Sequence, residues 1–175
     1  MRTKDRYDMG EISENDAFFL NEYRKTVRDM LREDMEGVIM NRDSAHASII
    51  LEEMIRVTKK SFVAITQKMS GDVWAGGLVS LLRERAEACG VSVRILTAER
   101  CSLDPSIAPL FNVRVAEKGD PGYNLAVSDG KAYRFENDTA ERKAIFCANN
   151  PDISSKLVEK FEELYRTGSS VTARG

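Results

Sequence analysis

The stretch Gly90-Val91-Ser92-Val93-Arg94-Ile95-Leu96-Thr97 decides the fold. It is short, rich in β-branched residues and largely apolar, which is the composition of a buried strand. The glycine at its start is where a preceding helix ends, because glycine takes up the left-handed backbone that closes a last turn. Upstream, Val73, Leu78, Val79, Leu81, Leu82 and Ala86 recur at helical spacing and predict a helix over 73–89. Before that, Phe62-Val63-Ala64-Ile65-Thr66 is a second short apolar run between polar residues. Strand, helix, glycine and strand make a βαβ unit, whose two strands run parallel.

Toward the C-terminus, Asn112–Ala116 reads as a third strand. The segments 124–128 and 132–135 flank Asp129-Gly130, a pair suited to a type I′ hairpin turn because both turn positions need positive φ. Residues 143–148 read as a further strand. Asn150-Pro151-Asp152 then opens a helix with Leu157, Val158, Phe161, Leu164 and Tyr165 on one face, ended by Thr167-Gly168. Residues 169–175 are expected to form a disordered tail.

Toward the N-terminus, a helix is expected from Asp43 or Ser44, with Ile50, Leu51, Met54, Ile55 and Val57 as its apolar positions. Before it, Leu20, Tyr23, Val27, Met30, Leu31, Met35 and Val38 recur every three or four residues and predict another helix. The expected organisation is a helical extension over 1–42, an α/β domain over 43–168, and the tail.

Composition bounds the function. A net charge of −2 supplies no global field that would draw the chain onto nucleic acid or anionic lipid, although a local basic patch remains compatible with it. No apolar run reaches the length that spans a bilayer, and Met1–Arg6 carries no apolar leader, so the sequence predicts a cytoplasmic protein without a membrane partner. The 3 cysteines, Cys89, Cys101 and Cys147, are far apart and form no CxxC pair, so neither a disulfide framework, a metal site nor a cofactor is expected.

The order of elements and the wording of several segments resemble the phospholipase-D-like domains. Gly90-Val-Ser-Val-Arg-Ile-Leu resembles one of that family's strands. Leu125-Ala-Val-Ser-Asp-Gly130 resembles the strand and turn of its signature. Val158-Glu-Lys-Phe-Glu-Glu-Leu-Tyr165 resembles its closing helix. The resemblance spans roughly residues 44–168 and implies a phospholipase-D-like half: a mixed β-sheet flanked by helices, here with an extra N-terminal helix. It also implies the signature His-x-Lys-x-x-x-x-Asp, in which an imidazole attacks a phosphodiester and a lysine neutralises the developing charge. With Asp129 as the signature aspartate, Gly122 stands at the histidine position and Asn124 at the lysine position. Neither side chain can do that work. Glu136-Asn137 stand where the family's Gly-Ser segment is usual. His46 is the one histidine of the chain and sits near a helix start.

The sequence therefore points to a non-catalytic binding, regulatory or assembly module, with no catalytic residue assigned. The alternative is a phosphodiesterase or nuclease of the same superfamily with altered catalytic residues. Ligands in open α/β sheets bind at strand ends. The candidate binding residues are Thr66, Gln67, Trp74, Tyr123, Asn124, Asp129, Arg134 and Glu136. The mixed-charge tract from Arg134 to Arg142 reads as a solvated loop that could also line a pocket at the sheet edge. Gly71–Gly77 offers free N–H groups to an anion. The expected ligand is a small molecule or an anion, for which sugar-sensing regulators with a phospholipase-D-like domain are a precedent. The expected protein partner is a second copy or another protein, through the N-terminal helix.

Overall fold

The computed structural model of the protein describes residues 14–69, 73–74, 77–101 and 105–171. These residues form four helices and one eight-stranded mixed sheet. In chain order they are α1 (Glu14–Arg32), β1 (Val38–Asn41), α2 (Ser44–Val57), β2 (Ser61–Thr66), α3 (Leu78–Cys89), β3 (Ser92–Thr97), β4 (Phe111–Val115), β5 (Asn124–Ser128), β6 (Ala132–Asp138), β7 (Lys143–Cys147), α4 (Pro151–Thr167) and β8 (Ser169–Ser170). The strand order is β1-β7-β6-β5-β2-β3-β4-β8. Strands β2, β3 and β4 are parallel, as the βαβ pattern requires, and the other neighbours are antiparallel.

Burial divides by face. Helices α1, α2 and α3 cover one side, where Val27, Ile50, Met54, Leu82, Ile95 and Phe146 are among the buried residues of one apolar cluster. On the other side α4 lays Leu157, Phe161 and Tyr165 on Val63, Ile65, Leu96 and Val127. Strand β6 shows how alternation feeds both: Ala132 belongs to the first cluster and Tyr133 to the second. Arg134 and Glu136 follow Ala132 at two-residue steps, so they face the α1–α2–α3 layer.

Three expectations change. The helix predicted to reach Val38 ends at Arg32, and residues 38–41 are instead the edge strand β1, paired with β7. Pairing along β7 overrides the helical spacing of Met35 and Val38, whose side chains stay exposed. The helix predicted from Val73 begins at Leu78, after the left-handed Gly77. The start of the expected tail, Ser169–Ser170, pairs with β4, and the Val171 N–H continues the ladder to the Val113 carbonyl at 3.0 Å. Residues 172–175 of that tail lie outside the described residues, as do residues 70–72 and 75–76 of the glycine-rich segment.

The hairpin turn is as expected. Asp129 and Gly130 have φ of 52° and 68°, the two positive values that a type I′ turn needs.

Candidate functional site

One end of the sheet gathers the point where β2 finishes, the start of β5 and the finish of β6. An open cavity of about 360 Å³ lies there, within the range of small-molecule sites. Thr66, Gln67, Trp74, Asn124, Arg134 and Glu136 all line it. A small extension of about 50 Å³ is lined by Thr66, Trp74, Asn124, Arg134 and Glu136 among others.

The register explains the floor. Asn41 on β1 is paired with Ala144 on β7, Ala144 with Glu136 on β6, and Glu136 with Asn124 on β5. Paired residues share a face, so two amides and a carboxylate stand in one row, with a single small residue between them. Arg134, on the same face one step along β6, joins them. Its Nε donates to Asn41 Oδ1 at 3.3 Å, and its Nη2 donates to Glu136 Oε2 at 3.0 Å. Asn124 Nδ2 approaches the same Glu136 oxygen at 3.4 Å. Arg134 is only 5% exposed and Glu136 only 7%. Burial pushes the Arg134 guanidinium below its ordinary pKa, and the neighbouring Glu136 carboxylate works against that shift. The ion pair offsets the desolvation of two side chains this deeply buried at the cavity floor.

One hydrogen-bonding position on this floor is unspent: Asn124 Oδ1 is buried without a donor. The opposite wall is more fully bonded. Trp74 Nε1 donates to Thr66 Oγ1 at 3.1 Å, and that hydroxyl donates to the Lys68 carbonyl at 3.2 Å. Gln67 Nε2 donates to Asp120 Oδ2 at 2.6 Å.

Two of the sequence candidates stand elsewhere. Tyr123 packs on the other face, with its ring 5.8 Å from that of Phe135 and the Lys160 ammonium 5.7 Å above it. Asp129 sits at the far end of β5. Its carboxylate accepts the backbone N–H groups of Lys59 at 2.8 Å, Lys60 at 2.7 Å and Ser61 at 3.0 Å, which fixes the α2–β2 connection. It is a structural clamp separated from Asn124 by the whole of β5.

Sequence reasoning missed Asp43, Ser44 and Lys68 as lining residues. Asp43 was legible as a helix cap, and it caps α2 by accepting the His46 N–H at 2.8 Å. That α2 begins at the cavity was not legible. The tract from Arg134 to Arg142 does contribute, through Arg142 as well as Arg134 and Glu136. His46 is not on the cavity wall. Its Nδ1 lies 2.6 Å from Asp43 Oδ2, and its ring meets Tyr23 of α1 edge-on at 4.4 Å. The Tyr23 hydroxyl is pushed up to about 12 by burial, an effect the Arg134 charge opposes and the Asp43 charge reinforces.

The position of Gly122 has a backbone consequence. Its φ is 82°, in the left-handed region, and its N–H bonds to Asp120 Oδ1 at 2.9 Å. A histidine there would be strained in the conformation that glycine adopts freely. Among the described residues no three His, Cys, Asp or Glu side chains are placed to hold a metal ion. No described helix is long and apolar enough to cross a membrane.

A mixed sheet with this order and helices on both faces is the phospholipase-D-like fold. The structure superposes on TrmBL2, an archaeal chromatin protein described as showing a novel mode of DNA binding, with a TM-score of 0.62 and 15% identity. The match covers 90% of this chain and 64% of TrmBL2, so this chain spans less than two thirds of that protein's length. Nuc from Salmonella typhimurium, a phospholipase D family member, superposes with a TM-score of 0.57 and 16% identity over 78% of this chain and 97% of its own. NucT from Helicobacter pylori gives a TM-score of 0.55 at 11% identity, over 77% and 97% of the two chains. Identities this low establish the fold alone. No protein-family model matches the sequence, and no curated protein matches it.

Proposed function

We propose that this chain is a non-catalytic phospholipase-D-like binding domain whose strand-end cavity holds a small, neutral, hydroxyl-bearing molecule. The observation that carries this reading is the cavity floor. Asn124 Oδ1 offers a buried acceptor without a protein partner, and the Arg134 guanidinium lies on the same floor, bonded to the Glu136 carboxylate that Asn124 also approaches. A hydroxyl both donates and accepts, so a polyol satisfies such a floor. A bare anion would leave Asn124 Oδ1 orphaned and would meet Glu136 and Asp43. Turnover of a phosphodiester has no support in the residues at hand. Gly122 and Asn124 occupy the family's histidine and lysine positions, and no histidine is among the described lining residues.

Binding to the native state alone must raise stability, by about 2.7 kcal/mol at a hundredfold excess over Kd. The test is a thermal-shift screen with glucose, maltose, AMP and inorganic phosphate. Stabilisation by a neutral sugar and not by phosphate is the expected result, and no stabilisation by any of them overturns the reading. DNA, RNA and a chromogenic phosphodiester, each with and without EDTA, test the alternative enzyme. Cleavage that disappears in His46→Ala would establish it instead.

A second reading concerns assembly. Phe18 and Phe19 on the first turns of α1 are 60% and 67% exposed, in edge-to-face contact with each other at 5.8 Å. Exposed aromatic pairs favour protein contact. A homodimer through α1 is the form proposed, and a strictly monomeric mass in light scattering removes it.

A further inference from the structure

Strand β1 is one edge of the sheet: it pairs with β7 on one side and with no described strand on the other. Native proteins blunt such an edge with lysine, proline or a bulge, because its free N–H and C=O groups template another strand. Val38-Ile39-Met40-Asn41 carries none of these devices. Val38 and Met40 are more than half exposed. Their partners on β7, Cys147 and Ile145, belong to the apolar layer under α4, so Val38 and Met40 extend that layer beyond the residues that α4 covers. Ile39 faces the other way and packs against the α1–α2–α3 cluster.

The sequence around β1 is complementary to its own reverse. Antiparallel strands bond through residues that face the gap, and these alternate along each chain. Two identical edges therefore pair only in registers centred on a residue, never between two. A twofold axis at Ile39 sets Ile39 against its own copy and Val38 against Met40 twice. Two residues further out, Glu36 meets Arg42, also twice. Both are exposed, and alternation continued from the strand puts both on the Val38–Met40 face. An axis at Val38 sets Glu36 against Met40, and an axis at Met40 sets Val38 against Arg42. Either one places a charge against an apolar side chain. The axis at Ile39 matches apolar with apolar and acid with base.

We infer that the free edge of β1 pairs antiparallel with β1 of a second copy, about a twofold axis at Ile39, joining two eight-stranded sheets into one. The contact is the same patch on both copies, as a twofold dimer requires. It gives the assembly reading a surface separate from Phe18 and Phe19 of α1, and it does not depend on what the cavity binds. Antiparallel joining carries the two strand-end cavities to opposite ends of the joined sheet.

Sedimentation equilibrium of the full chain over a concentration series tests it. The wild type is expected to show a monomer–dimer equilibrium. Met40→Lys sets a charge against Val38 of the second copy and is expected to leave a monomer. Glu36→Arg and Arg42→Glu each turn two opposite-charge contacts into two like-charge ones, and each is expected to weaken the dimer by about tenfold. The double variant Glu36→Arg, Arg42→Glu restores both contacts with their signs exchanged and is expected to return to the wild-type constant. All three side chains are exposed, so circular dichroism is expected to show each variant folded. Hydrogen exchange over residues 38–41 is expected to slow as concentration rises. Phe18→Ser, Phe19→Ser is expected to dimerise as the wild type does. A dimer that survives Met40→Lys overturns the inference, as do charge variants that neither weaken the dimer nor rescue one another. Loss of the dimer only in Phe18→Ser, Phe19→Ser overturns it and assigns the contact to α1. A wild type that is monomeric at every concentration overturns this contact and the α1 dimer together, and leaves the cavity reading standing.

Discussion

The guanidinium of Arg134 donates to the carboxylate of Glu136 at 3.0 Å, two residues along one strand and on one face, with both side chains more than nine-tenths buried. Here the α1–α2 layer closes over them and the row Asn41, Glu136 and Asn124 supplies the remaining polar groups.

Breaking this pair from one side is expected to be costly. Arg134→Met leaves Glu136 buried and unpaired, at about 3–5 kcal/mol of folding stability. The double variant Arg134→Met, Glu136→Leu removes both charges and is expected to recover most of that loss. Urea unfolding of the wild type, both single variants and the double variant measures the coupling. Simple addition of the two single losses would contradict the proposed pairing.

Asp129 separates stability from binding. Asp129→Ala removes the acceptor for three backbone N–H groups and puts alanine at positive φ. A loss of about 1–3 kcal/mol in unfolding free energy is expected. The affinity of any ligand found in the screen is expected to stay unchanged, because Asp129 lies at the opposite end of β5. A calorimetric titration showing weakened binding would return Asp129 to the site.

Attachment of α1 carries a pH dependence. Burial pushes the Glu53 carboxyl up, but the hydrogen bonds and charges of Arg28 and Arg24 outweigh it, and its pKa lies below the ordinary 4.5. Glu52 is lowered in the same net sense, with burial again opposed by Arg56 and Arg24. A carboxyl lowered in the folded state adds stability that is fully present above its unfolded pKa and is lost as pH falls through its folded pKa. Protection of α1 amides from exchange is therefore expected to be high near neutrality and to fall once pH drops below the ordinary carboxylate value. Glu53→Gln is expected to flatten that fall, and an unchanged profile would remove the ion pairs as its cause.

Gly168 is a matter of space. A Cβ there would stand 2.9 Å from the Val115 carbonyl oxygen and 3.1 Å from Leu96 Cδ1, both in neighbouring strands. Gly168→Ala is expected to cost about 1–3 kcal/mol by overpacking and to loosen β8 from β4. Exchange of the Val171 amide, which bonds Val113 O, reports the loosening directly. Retained protection at that amide with full stability would mean that the backbone gives way cheaply.

The order of elements was legible because each depends on neighbours in the chain. The periods of 2 and 3.6 in residues 44–66, 91–97 and 143–165 are local, and so are Gly90 after a helix and Asp129-Gly130 in a hairpin. The same local reading failed at Met35 and Val38, where a helical spacing continues in residues that tertiary pairing with β7 makes a strand. Most of the floor was legible too. Asn124 was named as a strand-end position, and Arg134 and Glu136 as part of a charged tract beside the hairpin; the register then sets Asn124 opposite Glu136.

Sequence by itself determined the βαβ unit, the hairpin and the closing helix. Each of these is a local periodicity or, in the hairpin, the identity of Asp129-Gly130. Only the tertiary structure decided which polar residues meet. It put Asn124 at the cavity and Asp129 at the far end of the same strand, because a strand carries its two termini to opposite edges of a sheet. It also brought Asp43 at the start of α2 to the cavity that Arg134 of β6 lines, a meeting that leaves no periodic trace in the chain.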